Sequence, residues 1–346
     1  MPFVTKINIE ERVISHPLLK ELFKIDQLPI REAFVIIEFQ NISTSIANAF
    51  RRCACDEIPW LALKVPQDGF DTKLTTEKFM LPQFINQRIQ LIPIKQRLSE
   101  SIIQNLKLKI DITNNTTDKL FFYSGDMIDK AHTLSFPIMN PTFQIGFLEP
   151  NKRIVINDIS IIQGVGREDA MFMGIKQATI HPLDIPEHTD KDIRLSDGVA
   201  LDLSGFKVSS LVASPKKFRL SAIVSATVNK KDAVYPFILA SQTIIEKLNN
   251  IISREQNIQL KIIQLEDEEE GILIIPNSSY TIGHLLRQGV FEKVPDVSKI
   301  IVDLNRDENQ LRVVIHHTGS DEKLLNEVVS QLVKTLTQIQ KEINEF

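Results

Sequence analysis

The chain has 346 residues, 43% of them apolar and 24% charged, a composition that supports packed cores of two or three domains rather than disorder. No apolar run is long enough to span a bilayer and no secretory pattern opens the sequence, so a soluble intracellular protein is expected. A formal net charge of −4 argues against a protein built to grip nucleic-acid phosphates, and two cysteines cannot make a disulfide framework.

Residues 1–30 read as an N-terminal extension, with an extended start over Phe3–Ile9 and a short apolar helix over Pro17–Phe23. Phe34–Phe39, rich in branched and aromatic side chains, predicts a strand. The stretch Asn41–Pro59 follows as a turn and a helix. Ser43 or Thr44 supplies the N-cap oxygen, and Ile46, Ala49, Phe50 and Cys53 form one buried stripe at helical spacing. Ala47 is small enough to let another backbone approach. Trp60–Val65 alternates as a strand and Pro66–Gly69 turns the chain.

From about 95 to 215 short strand-like runs dominate: Leu106–Ile112, Leu120–Tyr123, Phe143–Leu148 and Ile154–Ile162, separated by polar and proline-rich punctuation. Asp184–Ser214 is polar and irregular, as for a surface excursion. Phe218–Val228 returns as a strand, and a helix is expected over Asp232–Ser253, with Ile238, Ile244, Ile245, Leu248, Ile251 and Ile252 on its apolar face. Ser253–Asn257 is a short polar joint, and Glu266–Glu270 reads as a solvated hairpin or loop. Gly271–Ile275 and Leu311–His316 are strand-like. The terminal helix, Asp321 to about Ile343, carries Leu324, Leu325, Val328, Val329, Leu332, Val333, Leu336, Ile339 and Ile343 on one broad face.

A second version of Asn41–Pro59 occupies Asn277–Pro295 without a gap. Adding 236 carries Asn41 to Asn277, Ser43 to Ser279, Ile46 to Ile282, Arg51 to Arg287 and Pro59 to Pro295. Here Ser279 or Thr281 is the expected cap, Ile282, Leu285 and Leu286 form the stripe, and Gly283 matches Ala47. Either stripe alone fits an ordinary core helix; the duplication indicates two related folding units. From Pro59 to Phe218 is 159 positions and from Pro295 to Leu311 only 16, so the first unit holds about 143 more residues, enough for an inserted domain.

Ser45–Arg52 followed by Asp56-Glu-Ile-Pro59 resembles the signature of the α-like subunits of multisubunit RNA polymerases: the bacterial α subunit and the third-largest eukaryotic subunit. Thr281–Arg287 resembles that of the small α-like partner. Their union in one chain is similar to the fused α-like subunits of large cytoplasmic DNA viruses. The resemblance implies an α+β fold in which two α-like dimerisation units, mixed strands packed with long helices, form an intramolecular pseudo-dimer. The first unit would be 31–94 plus 216–254, interrupted by a β-rich domain over 95–215, and the second 255–346.

The function so implied is a non-catalytic assembly platform for DNA-dependent transcription, with the second-largest and largest polymerase subunits as partners. Small accessory subunits would sit on the inserted domain, with little nucleic-acid contact and no membrane. Host cytoplasm and virion would be the setting if the chain is viral, the nucleus otherwise. Arg51 and Arg52, with Asp56 and Glu57 in the following corner, would face the second-largest subunit, since arginine forks bind carboxylates and carbonyls at two points. A pair of solvated or snorkelling arginines is the plain alternative. Lys78–Ile94 resembles the family segment running through His-Arg into Leu-Ile-Pro; Gln87 replaces the histidine, so only Arg88 carries over. Arg287 is the second copy's counterpart of Arg51, while Gln288 stands where Arg52 does, so the halves are not equivalent. The second half would face the largest subunit.

No metal or other cofactor is expected: the cysteine cluster that some relatives use for zinc or iron–sulfur is missing from the sequence. Cys53 and Cys55 point about 200° apart on a helix, and His316 and His317 face opposite sides of a strand. Gly164-Val-Gly166 has no Gly-Lys-Ser/Thr after it and reads as a structural turn, similar to the glycine-rich corner of the family's inserted domain. Carboxylate pairs for acid–base work meet only in the fold, and no spacing points to one. The rival class, an internally duplicated enzyme or ligand-binding pseudo-dimer, needs convergent polar groups between its halves.

Overall fold

The computed structural model describes residues 2–14, 30–76, 81–129, 138, 143–183, 215–225, 230–255, 257–264, 269–294, 299–305, 310–317 and 321–346. The expected helix at Pro17–Phe23 and the excursion Asp184–Ser214 lie outside these residues. The fold is mixed α and β, with three four-stranded antiparallel sheets, one two-stranded ribbon and six α-helices among the described residues.

The first sheet runs β1 (Val4–Ile14), β2 (Ile30–Gln40), β10 (Lys217–Ser225), β9 (Ile175–Pro182). Its register follows the two-residue period. Ala33, Val35, Ile37 and Phe39 pair with Val224, Ala222, Leu220 and Phe218, and all eight are buried on one face. Asn41 takes a left-handed φ of 57°, which turns the chain into α1 (Thr44–Asp56). Ser43, not Thr44, is the cap, its hydroxyl accepting from Ile46 N at 3.4 Å. The stripe Ile46, Ala49, Phe50 and Cys53 faces the core, and Ala47 is buried with it.

β3 (Pro59–Lys64) departs from the expected alternation, because both its faces are covered. Trp60 and Ala62 belong to the first core, whereas Leu61, Leu63 and Val65 belong to a second. This strand opens the sheet β3, β8 (Arg153–Val165), β4 (Leu108–Thr113), β6 (Ile128–Asp129), beside the ribbon of β5 (Leu120–Tyr123) and β7 (Gln144–Leu148). The second core also takes Ile85 and Ile89 from α2 (Pro82–Gln90), so residues on both sides of position 95 share it. α3 (Glu100–Asn105) is a short helix in a segment read as β-rich. Gly164 lies at the end of β8, opposite Trp60, and Gly166 is in the turn that follows; a Cβ at Gly164 would stand 2.3 Å from the Phe172 ring. β9 then rejoins the first sheet.

The second repeat builds a sheet in the order β11 (Gln259–Gln264), β12 (Glu269–Pro276), β14 (Gln310–His317), β13 (Lys299–Asn305). β13 was not among the expected strands. Asn277 repeats the left-handed turn of Asn41, with φ 51°, and leads into α5 (Tyr280–Lys293). Gly283 admits a side chain rather than a backbone: a Cβ there would stand 2.4 Å from Val302 Cγ1.

The long helices are α4 (Lys230–Ser253) and α6 (Asp321–Asn344), which pack against each other, while α1 packs against both α4 and α5. On α4 the apolar face is narrower than expected, since Ile252 is 40% exposed. One contiguous core joins both halves, including Phe39, Phe50 and Phe237 with Leu285, Val313 and Ile339. Glu342 on α6 accepts hydrogen bonds from the backbone amides of Phe3 and Val4 at 2.8 and 2.7 Å, tying β1 to the last helix. No described helix is long and apolar enough to cross a membrane.

Candidate functional site

Where α1 ends, Glu57 forms its C-cap, the amide donating to the Cys53 carbonyl at 3.0 Å. The chain must then turn into β3, and the Glu57 side chain points inward. It is only 6% exposed. One carboxylate oxygen accepts from Ser279 Oγ at 2.7 Å and Thr281 Oγ1 at 3.2 Å; the other accepts from Lys247 Nζ on α4. Three elements, including both copies of the repeat, therefore meet on one carboxylate. Burial alone would raise its pKa, but the Lys247 ammonium and the three hydrogen bonds outweigh this and hold it below the usual value. The negative group also lies at the start of α5, where the helix dipole favours it.

Ser279 was expected as a helix cap. It occupies the N-cap position, yet makes no capping bond with its side chain; its hydroxyl goes to Glu57 instead. The Thr281 hydroxyl donates to Glu57 and accepts from Arg52 Nε at 3.2 Å, so Arg52 is linked to the same network.

The expected partner-facing residues thus separate. Glu57, expected in the partner-facing corner after α1, is instead turned inward, its carboxylate held by three donors from elsewhere in the chain. Arg52 is half-buried, and its Nε donates to Thr281 Oγ1. Arg51 is half-buried and donates from Nε to Asn48 on its own helix at 3.0 Å. Asp56 is half-buried and its backbone carbonyl accepts from Arg167 N at 2.9 Å. Arg287 is exposed on α5, its guanidinium 5.7 Å from the Phe291 ring centroid. Arg88 stands apart on α2, exposed on a face shared with Leu81, Phe84 and Leu91, which are 54%, 59% and 57% exposed.

Sequence reasoning did not single out Lys247, Tyr280, His284 or Phe291. Lys247 could have been found as the one cation between Ile244 and Leu248 on an apolar face. Tyr280 and His284 stack with centroids 5.9 Å apart. Desolvation first, then Arg287 and Arg52, lower the His284 pKa, which keeps the ring neutral near pH 7.

Little here can do bond chemistry. Burial pushes the Cys53 thiol well up, and it donates weakly to the Ala240 carbonyl; burial also raises Cys55, to about 11. Neither is a thiolate at neutral pH. Among the described residues no group of three or more His, Cys, Asp or Glu converges as for a metal. An open groove of about 920 Å3 runs along α6, lined by Lys293, Lys323, Ser330 and Lys334 among others, and is a solvated charged surface.

No known family profile matches the chain. Similarity to individual proteins is strong. The chain is 31% identical over 352 residues to the DNA-directed RNA polymerase RPB3-11 homolog of African swine fever virus, Badajoz strain, covering 96% of this chain and 95% of that protein. The homologs of the Malawi tick isolate and the Kenyan pig isolate are also 31% identical, over 96% of this chain and 95% and 94% of their own lengths.

Proposed function

The chain belongs to the RPB3-11 homologs, the fused α-like subunits of viral DNA-directed RNA polymerase, and from that premise we propose that it is the polymerase's non-catalytic assembly platform. In this reading two α-like units, 31–94 with 216–254 and 255–346, pair within one polypeptide about an approximate two-fold axis. The β-rich residues 95–215 are inserted in the first. The observation that carries it is the closure of Glu57 on Ser279 and Thr281, which joins the two copies of the repeat. The matching left-handed Asn41 and Asn277 and the shared core support it too. Tethering makes such pairing intramolecular, with an effective concentration on the order of millimolar. It also fixes the ratio of the halves at one to one.

The platform docks the second-largest subunit through the exposed side of α1, with Arg51, Arg52 and Asp56, and the largest through the second unit. Arg88 and its exposed apolar neighbours offer a further docking face, and small accessory subunits bind the β-rich insert. Glu57 acts from inside, by fixing α1 against α5. Work in the host cytoplasm and carriage in the virion follow from this reading.

Co-expression with the two largest subunits of its own polymerase, affinity capture through this chain and mass spectrometry test it. Both large subunits are expected in equal amounts with the chain, and template-directed nucleotide incorporation only in the full complex. Capture of neither large subunit, or turnover by the isolated chain, refutes the proposal.

A further inference from the structure

Beside the Glu57 network lies a surface made by both halves. Arg52 of α1 bonds to Thr281, and around it α5 presents Tyr280, His284, Arg287 and Phe291 at steps of four, three and four residues, which is one helix face. The Tyr280 and His284 rings are stacked, and the Arg287 guanidinium lies over Phe291. His284 and Arg287 are exposed, and Phe291 is 37% exposed. His284 feels the positive charge of both Arg287 and Arg52, so both guanidiniums lie near its ring.

No anion among the described residues neutralises this surface. Among the described residues neither Arg52 nor Arg287 has a carboxylate within ion-pair distance. Glu57 is taken by Lys247, Ser279 and Thr281, and Glu292 accepts from Gln288 at 3.1 Å. Asp56, one turn after Arg52, forms no ion pair with it. Two arginine forks held beside aromatic rings are the composition of an interface centre, not of an idle surface, where lysine and glutamate prevail.

Resting on the platform reading, we propose that Arg52, Tyr280, His284, Arg287 and Phe291 form one docking surface across the two halves for an acidic segment of the second-largest subunit. Arg52 and Arg287 thus serve the same partner rather than one each, and the largest subunit docks on the second unit outside this face of α5. Charge complementarity selects the occupant: two fork-shaped cations match carboxylates two at a time, and the rings cover the apolar stems between them. A nucleic-acid strand is the poorer fit. The patch has no lysines, and the chain carries a net charge of −4.

The test uses the chain in complex with both large subunits and places the photo-crosslinker p-benzoylphenylalanine at His284. The crosslink is expected on an Asp/Glu-rich peptide of the second-largest subunit. Arg52→Glu, on the other helix, should lower its yield about ten-fold, as should the exposed Arg287→Glu, which should leave the melting temperature of the isolated chain unchanged. Ten-fold corresponds to about 1.4 kcal/mol. Attachment to the largest subunit or to a peptide poor in acids overturns the inference, as does a yield indifferent to either substitution. Displacement of the crosslink by a short single-stranded RNA also overturns it, in favour of a nucleic-acid face. In each of these cases the platform stands, because the complex has formed. If no complex forms, both readings fall.

Discussion

Ser279 donates a hydrogen bond from its hydroxyl to the carboxylate of Glu57, 222 positions earlier in the chain, at 2.7 Å. Neither residue has a comparable partner in its own copy of the repeat, so each completes its bonding only when the two copies lie side by side. Adding 236 to Glu57 gives Lys293, which instead stands 3.9 Å from Glu327. The contact is therefore one-sided.

Removing either member of the Glu57–Lys247 pair should destabilise the chain, but unequally. Glu57→Gln leaves Lys247 able to reach water, because its side chain is 31% exposed, and should cost about 2 kcal/mol. Lys247→Met strands a carboxylate that is 6% exposed and should cost about 3 kcal/mol or more. Urea unfolding of both variants checks the order; a smaller loss for Lys247→Met contradicts this account.

Acid should loosen the same contact. The folded pKa of Glu57 lies below its unfolded value, so its stabilisation is full above the unfolded pKa and fades as pH falls through the folded one. Stability should therefore drop below about pH 4, the ordinary range for glutamate. Glu57→Gln should flatten that limb of the curve. An unchanged limb in the variant assigns the acid sensitivity elsewhere.

Gly283→Ala sets two effects against each other. A helical alanine gains about 1 kcal/mol over glycine, but the added methyl would sit 2.4 Å from Val302 Cγ1 and 3.3 Å from Leu311 Cδ1, an overpacking of about 2 kcal/mol. The clash should win, giving a lower melting temperature, and Val302→Ala in the same chain should restore it. Stabilisation by Gly283→Ala alone shows that β13 yields.

Glu342→Gln should free the start of β1. The carboxylate bonds to both the Phe3 and Val4 amides, and charge-assisted bonds of this kind contribute about 1.5 kcal/mol or more. Hydrogen exchange in β1 should quicken about ten-fold, while amides in β2 and β10 stay protected. Equal loosening of all three strands would mean that the bond supports the sheet as a whole.

Much of the frame was legible because it is written locally. The strand, the turn and the apolar stripe each leave a periodic or positional mark, and writing them twice, 236 positions apart, made the repeat readable. What escaped depends on distant partners. Glu57 reads as a partner-facing acid in the corner after the helix until Ser279, Thr281 and Lys247 are brought to it from far along the chain. Trp60–Val65 shows alternation, but not that each face has its own core. Six residues sufficed for α3, too few for a helical period to show, and β13 hides in the interval used to measure the missing insert. The interface candidates divided similarly: arginines in a motif can be named from sequence, whereas the ring stack of Tyr280 on His284 needs the helix face.

β3 is a party wall. Trp60 and Ala62 furnish one room and Leu61, Leu63 and Val65 the other, with a single backbone between. Close-packed interiors do not absorb displacement by compressing, so a shove on the plaster of either room is felt in its neighbour. Whatever fastens to the β-rich side of this wall thereby leans on the helices behind it, and the two rooms should stand or fall in one collapse.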